Sequence, residues 1–546
     1  MDNYKQFIRE AEPGRIIPIV REVEMDCPVR FFARLSDYGR KKDCCLFESR
    51  EHLSGSQEGE LTFGTANPAL YVSGTGSDFR IEALTATGRR MIRYLASDAR
   101  RFAFCKSIEV TTDSITGTLN QVEQTMDEQS RLKSTNQMDV IRAVAFAFEL
   151  ASKPFRVTCG LLGAISYDFV DQFEKLPANE SDILGNPDYE LYFADNIFLM
   201  DHATHRGYVV VNVMVTDDDR DEIVADARQC FDYYFNMANM SDPRARELGG
   251  ETAEPVSDTT QAEYEEMVRT AKRHILDGDI FQVVLSRTLS QQCGEEPLDV
   301  YRRLRVLNPS PYMFYLNMRN TILTGASPEL NLRVGGTDKR VVEIRPIAGT
   351  KPRGRLNGRI DPDTDVRYEA ELKLDHKELA EHMMLVDLAR NDIARVADAG
   401  SRLVNEMLIT EKYESVMHLV SNVRGVLRSD LDALSAYLAT MNMGTLTGAP
   451  KIEAMKIIRR LEKNKRGYYG GAVMYLTVDG RFDSCITIRS IQIKDRTAYV
   501  RAGAGIVHDS VPKTEFEETQ HKANSCLRAI RGSEAGAPLV AGAASK

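Results

Sequence analysis

The sequence predicts an α+β fold, and three observations carry the prediction. Strand-like and helix-like segments follow one another without the regular βαβ alternation that a doubly wound sheet requires. The 546 residues are 43% hydrophobic and 27% charged, a globular balance with enough length for two large cores or one very large one. No run of about 18 apolar residues occurs, which argues against a membrane span and leaves the apolar residues for cores.

In chain order, the start MDNYKQFIREAEPGR is polar and lacks the apolar centre of a signal peptide. Residues 160–170 (GLLGAISYDFV) read as a Gly-punctuated strand, and 207–219 (GYVVVNVMVTDDD) as a buried strand ending in an acidic turn. Residues 241–260 are rich in Pro, Gly and charge and have no apolar period. They read as a linker or surface loop between an N-terminal region, 1–240, and a C-terminal region, 261–531. Beyond the linker, Tyr264, Met267, Val268, Ala271 and Ile275 share one helical face, with Gly278 as the stop. Residues 280–290 follow as a strand, 375–397 as a helix with a largely buried face, and 532–546 as a small-residue, disordered tail.

Bulk chemistry narrows the function classes. The net charge of -10 is spread along the chain, and no Lys/Arg block suggests a nucleic-acid partner. A small anionic substrate stays possible, because a local field can oppose the overall charge. Nine scattered cysteines without a C-x-x-C pair make disulfide-framework and zinc readings weak. The expectation is a soluble cytoplasmic protein without membrane or nucleic-acid partners.

The chemistry-bearing residues begin with two carboxylate pairs. Glu378 and Glu381 lie side by side at i, i+3 on the 375–397 helix. Glu515 and Glu518 repeat that spacing, with Ser510 and Pro512 as helix-start signals. Two such helices facing one another would suit a hard divalent cation, magnesium best, although paired Glu on a helix is more often a solvated face. Gly503, Ala504 and Gly505 follow a strand, where small residues let backbone N–H groups approach an anion. MNMGTLTGAPK (441–451) is a Gly-rich turn entering a helix, with Thr447 a possible cap or hydroxyl donor. Both segments could equally be plain turns. Tyr469 and Arg489 supply a phenol and a guanidinium; Arg489 could grip a carboxylate bidentately or sit in a structural ion pair. His418, in an apolar strand-like run, reads first as a core histidine and second as an acid/base group.

Seven segments together resemble the chorismate-utilising enzymes: IRPIAGTKPRG, HKELAEHMMLVDLARND, VMHLVSNVRG, MNMGTLTGAPK, YYGGAVMYL, ITIRS and AGAGIVHDSVPKTEFEET, in that order. The resemblance is strong over 262–531 and weaker before. It implies two large packed antiparallel β-sheets with helices on the outside. It makes Glu381 and Glu518 magnesium ligands with Glu378 and Glu515 in support, and places Ala348, Gly349, Thr350, Tyr469, Arg489, Gly503, Ala504, Gly505 and Lys522 around the substrate. Chorismate is a dianion, so a cation for one carboxylate and Arg or backbone donors for the other make physical sense.

Within the family two positions discriminate. Water-using members resemble K-V-V where this chain has Gln282 in DIFQVV, and an amide cannot deprotonate water, whereas ammonia is already nucleophilic. Members that attack the ring covalently resemble PIKGT where this chain has PIAGT, and the Ala348 methyl cannot attack. Together they imply the amine-transferring branch that makes anthranilate, with Glu329 a candidate general acid, His418 assisting elimination and Thr447 placed with the catalytic set. The alternatives are a synthase that stops at 2-amino-2-deoxyisochorismate and a non-catalytic tryptophan sensor.

CLFESRE (45–51) and NPSPYMF (308–314) resemble the two parts of the family's feedback site, which implies L-tryptophan against Glu48, Ser49, Asn308, Pro311, Tyr312 and Met313. Phe47 departs mildly from the L-L-E-S pattern, and the plain reading is a strand end plus a Pro turn. No G-x-C-x-G nucleophile elbow occurs, so the expectation is a separate glutamine amidotransferase small subunit that delivers ammonia.

Overall fold

Two 13-stranded sheets lie face to face in the computed structural model, which describes residues 2–49, 61–120, 134–246, 254–336, 338–356, 358–413 and 416–532. Ladders are antiparallel throughout, apart from the short parallel pairing of Arg15–Val23 with Glu149–Leu150. Aromatic and aliphatic side chains of both sheets fill the space between them, among them Phe314 and Leu316 of one and Tyr71, Tyr192 and Val473 of the other. Helices cover the outer faces. One sheet packs on Pro28–Leu35, Arg220–Asn239, Pro297–Leu307 and Pro512–Arg531, the other on Ala86–Ala96, Gln137–Ala145, His376–Val396 and Ala433–Thr440. This is the α+β sandwich the sequence implies.

Each sheet is built half from the N-terminal and half from the C-terminal region, side by side. The seams are Cys44–Glu48 against Tyr312–Asn317 in one sheet and Gly160–Ile165 against Ala472–Thr477 in the other. A strand at such a seam is covered on both faces, so GLLGAI is buried at all six positions and shows no alternation. That strand ends at Ile165, earlier than expected, because Ser166 caps a 3-10 turn, Tyr167–Gln172, by accepting from the Asp168 N–H. The linker also holds structure, since Val256–Ser257 pairs with Gln282–Gln292.

Helix starts follow local chemistry. Gln261–Leu276 opens on a capping box, Thr260 with Glu263, and Gly278 follows at φ +83°. His376–Val396 is capped by Asp375, which accepts from the N–H groups of Lys377 and Glu378. Pro512 stands at the first turn of Pro512–Arg531 as expected, but Ser510 does not cap it; its hydroxyl accepts from the Val507 N–H instead. Among the described residues no helix is long and apolar enough to cross a membrane, and all nine cysteines are free thiols. The tail from 533 onward lies outside the described residues.

Twice in the C-terminal region the chain passes from one sheet to the other through a few residues. It does so between Ile322–Ser327 and Leu330–Gly335, and between Phe482–Ile486 and Ser490–Lys494. The two passages are bound to each other: Ile486 N–H donates to Glu329 O (3.1 Å) and Ala326 N–H to Arg489 O (3.1 Å).

Candidate active site

Glu329 and Arg489 sit in those two passages. Glu329 is fully enclosed, and burial lifts its carboxyl to about 8, with the Thr445 hydroxyl and the Lys522 ammonium pulling the other way. Its Oε1 has no hydrogen-bond partner within the protein. Arg489 holds φ +49°, a conformation L-residues seldom adopt, and its Nη1 donates to the Lys522 carbonyl. Among the described residues it has no ion-pair partner, so a half-buried cation is left without a carboxylate.

Lys522 joins the two sides. Its ammonium bonds the Gly503 carbonyl (3.0 Å) and the Glu518 carboxylate (2.6 Å). Gly503, Ala504 and Gly505 lie inside Thr497–Ile506 and not after it, in register with Ser286, Leu285 and Val284. Their smallness makes room for side chains: a Cβ at Gly505 would stand 2.7 Å from Gln282 Nε2, and one at Gly503 3.1 Å from Tyr469 Oη. Gln282 is buried, and its amide oxygen has no partner. Tyr469 is buried among Arg466, Arg501 and Arg489, with burial raising its phenol to about 12.

Across the cleft, Ile347–Pro352 pairs with Val416–Val426, and a bulge between Ala348 and Thr350 puts Gly349 at φ +78°. The bulge sets Thr350 opposite His418, with the Thr350 hydroxyl 3.0 Å and the Gly349 carbonyl 3.2 Å from Nδ1. A bond to a carbonyl requires Nδ1 to carry the hydrogen, which leaves Nε2 as the basic nitrogen. Burial lowers the His418 pKa, the Gly349 bond opposes it and Arg489 adds to it, so the ring is neutral at physiological pH.

The glutamates also converge. Burial raises Glu378, Glu381 and Glu515, and each also feels Glu518; Lys377 pulls all three back. Glu378 Oε2 lies 3.1 Å from where a Gly349 Cβ would be, which ties the pair to the bulge. Among the described residues no three His, Cys, Asp or Glu side chains already stand as a metal shell. The donor set is all carboxylate oxygen and carries excess negative charge, which fits a hard divalent ion that keeps part of its water.

Thr447 does not join this set. Its hydroxyl lies 3.3 Å from Tyr167 Oη, and it does not cap Lys451–Leu461, whose cap is Pro450 without a side-chain bond. The residue the sequence reading missed is Thr445, whose buried hydroxyl lies beside the Glu329 carboxyl. The two threonines sit two apart in a tight turn, so they face different ways, and composition cannot say which one faces in.

A second cavity, of about 450 Å³, opens between the sheets at the seam. Glu48, Ser49, Pro311, Tyr312 and Met313 line it, with Phe47, Phe63, Val473, Tyr475, Arg333 and Asp483. Glu48 lends it no carboxylate: Tyr301 Oη donates to one oxygen and Arg305 Nη2 to the other (2.9 Å). Tyr312 Oη donates to Asp483 (3.0 Å) and accepts from Arg333 (3.0 Å). Phe47 stacks on Phe63 with centroids 5.2 Å apart. Asn308 is not among the lining residues; it ends Pro297–Leu307 and donates to the Ala326 carbonyl (3.2 Å).

Carboxylates that couple to one another, a guanidinium without an ion-pair partner among the described residues and an enclosed acid are the chemistry of an enzyme site for a small anion. Residues 95–528 match the chorismate binding enzyme family, and the chain belongs to it. It is 40% identical over 514 residues to anthranilate synthase component 1 of Vibrio parahaemolyticus, spanning 92% of this chain and 91% of that one. Among solved structures, anthranilate synthase component I from Streptococcus pneumoniae superimposes with a TM-score of 0.64 at 28% identity, covering 88% of this chain and 94% of that one. The menaquinone-specific isochorismate synthase of Escherichia coli shares the fold, at TM-score 0.63 and 14% identity over 97% of this chain and 98% of its own.

Proposed function

We propose that the chain is the chorismate-binding subunit of an anthranilate synthase, turning chorismate and ammonia into anthranilate and pyruvate. The observation that carries this reading is Gln282: a buried amide whose oxygen has no partner can accept an N–H from ammonia but cannot deprotonate water. Ammonia adds at C2 of the ring while the 4-hydroxyl leaves as water. Glu329, largely protonated below pH 8, donates the proton that departure needs. Loss of the C2 proton and of the enolpyruvyl group, as pyruvate, then makes the ring aromatic. His418 Nε2, fixed as the basic nitrogen, is the acceptor for that proton. Arg489 and Tyr469 orient the carboxylate far from the glutamates.

Glu381 and Glu518, supported by Glu378 and Glu515, would hold magnesium, which neutralises the ring carboxylate of the substrate when bound. Ala348 leaves the ring face clear of a nucleophile. The cavity at the seam takes tryptophan as a feedback inhibitor, its indole among Phe47, Phe63 and Tyr475. A separate glutamine amidotransferase subunit supplies ammonia from glutamine.

The test is anthranilate fluorescence from purified chain with chorismate, magnesium and ammonium salt at alkaline pH, with and without tryptophan. A magnesium-dependent signal that tryptophan suppresses is expected. Chorismate consumed without fluorescence would replace the reading with a synthase that stops at 2-amino-2-deoxyisochorismate.

A further inference from the structure

Beside Tyr469 lies a buried charge cluster that the mechanism leaves unused. Arg466 is 2% exposed and makes four hydrogen bonds that reach three separate elements. Its Nε and Nη2 clasp both oxygens of Glu462, at 2.9 and 2.7 Å. Its Nη1 donates to the Leu446 carbonyl at 2.6 Å, and Nη2 also reaches the Val284 carbonyl at 2.8 Å.

Those two carbonyls belong to the pieces that carry the chemistry. Leu446 closes the turn Gly444–Leu446, which presents Thr445 to Glu329. Val284 lies two residues beyond Gln282 on the same strand. The guanidinium also lies over the Tyr167 ring (4.6 Å) and beside the Tyr469 ring (5.8 Å), and the Arg466 carbonyl accepts from the Tyr469 N–H (3.2 Å). A planar fork can span two carbonyls and a carboxylate in one rigid geometry; an ammonium, a point donor, cannot.

We propose that Arg466, clamped by Glu462, is a positioning residue for amine transfer: it sets the spacing between the Gln282 strand and the Thr445 turn without touching the substrate. The inference rests on the functional reading above, which gives Gln282 to the ammonia at C2 and Glu329, beside Thr445, to the departing 4-hydroxyl. A fold-staple role alone would lower stability and activity together. A positioning role shows in turnover while the folded chain and its grip on chorismate persist.

The charge balance makes the experiment clean. Glu462 is also held by Arg501 Nη2 (2.7 Å) and by the Ser286 N–H and hydroxyl (2.8 Å each), so it keeps a cation when Arg466 changes. In the full-length chain, R466K is expected to fold and to bind chorismate with KM within about threefold of the unmodified chain. Its kcat for ammonia-dependent anthranilate formation should fall about 10²-fold, the scale of a displacement near 1 Å. The R466K/Q282A double variant should be no slower than the slower single variant, because both act on one unit. E462D keeps every charge but retracts the clamp by one methylene, and the same kcat loss at near-normal KM is expected.

R466K with kcat within threefold of the unmodified chain, or losses that multiply in the double variant, would overturn the inference. So would loss of the folded chain in both R466K and E462D, which would make the pair a staple. An unmodified chain that makes no anthranilate would overturn the functional reading and this inference with it; an active unmodified chain matched by R466K would overturn this inference alone.

Discussion

The seam cavity and the catalytic cleft occupy the same sandwich and are organised by opposite means. In the cavity the two enclosed carboxylates are each held by a counter-charge: Glu48 lies between Tyr301 and Arg305, and Asp483 between Tyr312 and Arg333. In the cleft the charges are only partly paired: Lys522 holds Glu518, yet the glutamates still raise one another on one side, and on the other Arg489 has no ion-pair partner among the described residues. Paired charges hold a preformed pocket shut against rearrangement, whereas partly paired charges store repulsion that only a ligand of opposite sign relieves. The cavity is a mould, and the cleft is a site completed by what binds it.

Substitutions can break that contrast, and the largest effect belongs to the cleft. E381Q removes a carboxylate from the divalent-ion side, and kcat should fall about 10³-fold, as when an electrostatic clamp is lost. Steady-state turnover against magnesium concentration checks it; a variant within tenfold of the unmodified rate would show that the repulsion has no catalytic purpose.

Next comes E329Q, with a loss of about 10²–10³-fold, the share of a general acid. The sign of its pH dependence follows from the raised carboxyl. The acid form, present below about 8, is lost as pH rises through that value, so kcat/KM at fixed free ammonia should decline above it. E329Q should flatten that limb. In stability the same shift favours the folded state at low pH and is lost as pH rises through about 8, so E329Q should melt higher than the unmodified chain above pH 8 and equally at pH 4.

A smaller effect tests the cavity. Y312F removes one donor and one acceptor from the Asp483–Arg333 cluster, and the tryptophan concentration for half-inhibition should rise about tenfold, near 1.4 kcal/mol, with kcat unchanged. The smallest effects sharpen the contrast directly, by denaturant midpoints at pH 8. Y312F should cost about 1–2 kcal/mol because buried charged partners lose a bond. E378Q should gain about 0.5–1 kcal/mol, after allowance for solvent screening, because it removes a charge that burial first and neighbouring carboxylates second disfavour, and the gain should vanish below pH 4. Equal signs for the two would erase the distinction between mould and repelling cleft.

Much of this was legible in the sequence because motifs are local. Helix ends read from the sequence, Gly278 as a stop and Pro512 as a start, act within one turn. Most residues gathered in the cleft came from seven segments whose order resembles a family, with Gln282, Glu329 and Lys522 outside them. What stayed hidden depends on partners distant in sequence. Nothing near Glu48 announces that Tyr301 and Arg305, more than 250 residues away, take both its oxygens. Nothing in MGTLTG distinguishes Thr445, which faces Glu329, from Thr447, which faces Tyr167. Arg466 drew no reading from the sequence, because its bonds depend on two backbone carbonyls that carry no sequence signal.

The two passages between the sheets, at Glu329 and Arg489, act as hinge pins. They are cross-bonded, and each is anchored to both layers within three residues. One layer cannot shear over the other without twisting both pins and turning the acid and the guanidinium out of alignment together. The strand Phe482–Ile486 that runs to the second pin also forms a wall of the seam cavity through Asp483, Ser484 and Cys485. The gap between the layers at the seam and the aim of the two pins are thus one mechanical coordinate, written into the path of the backbone.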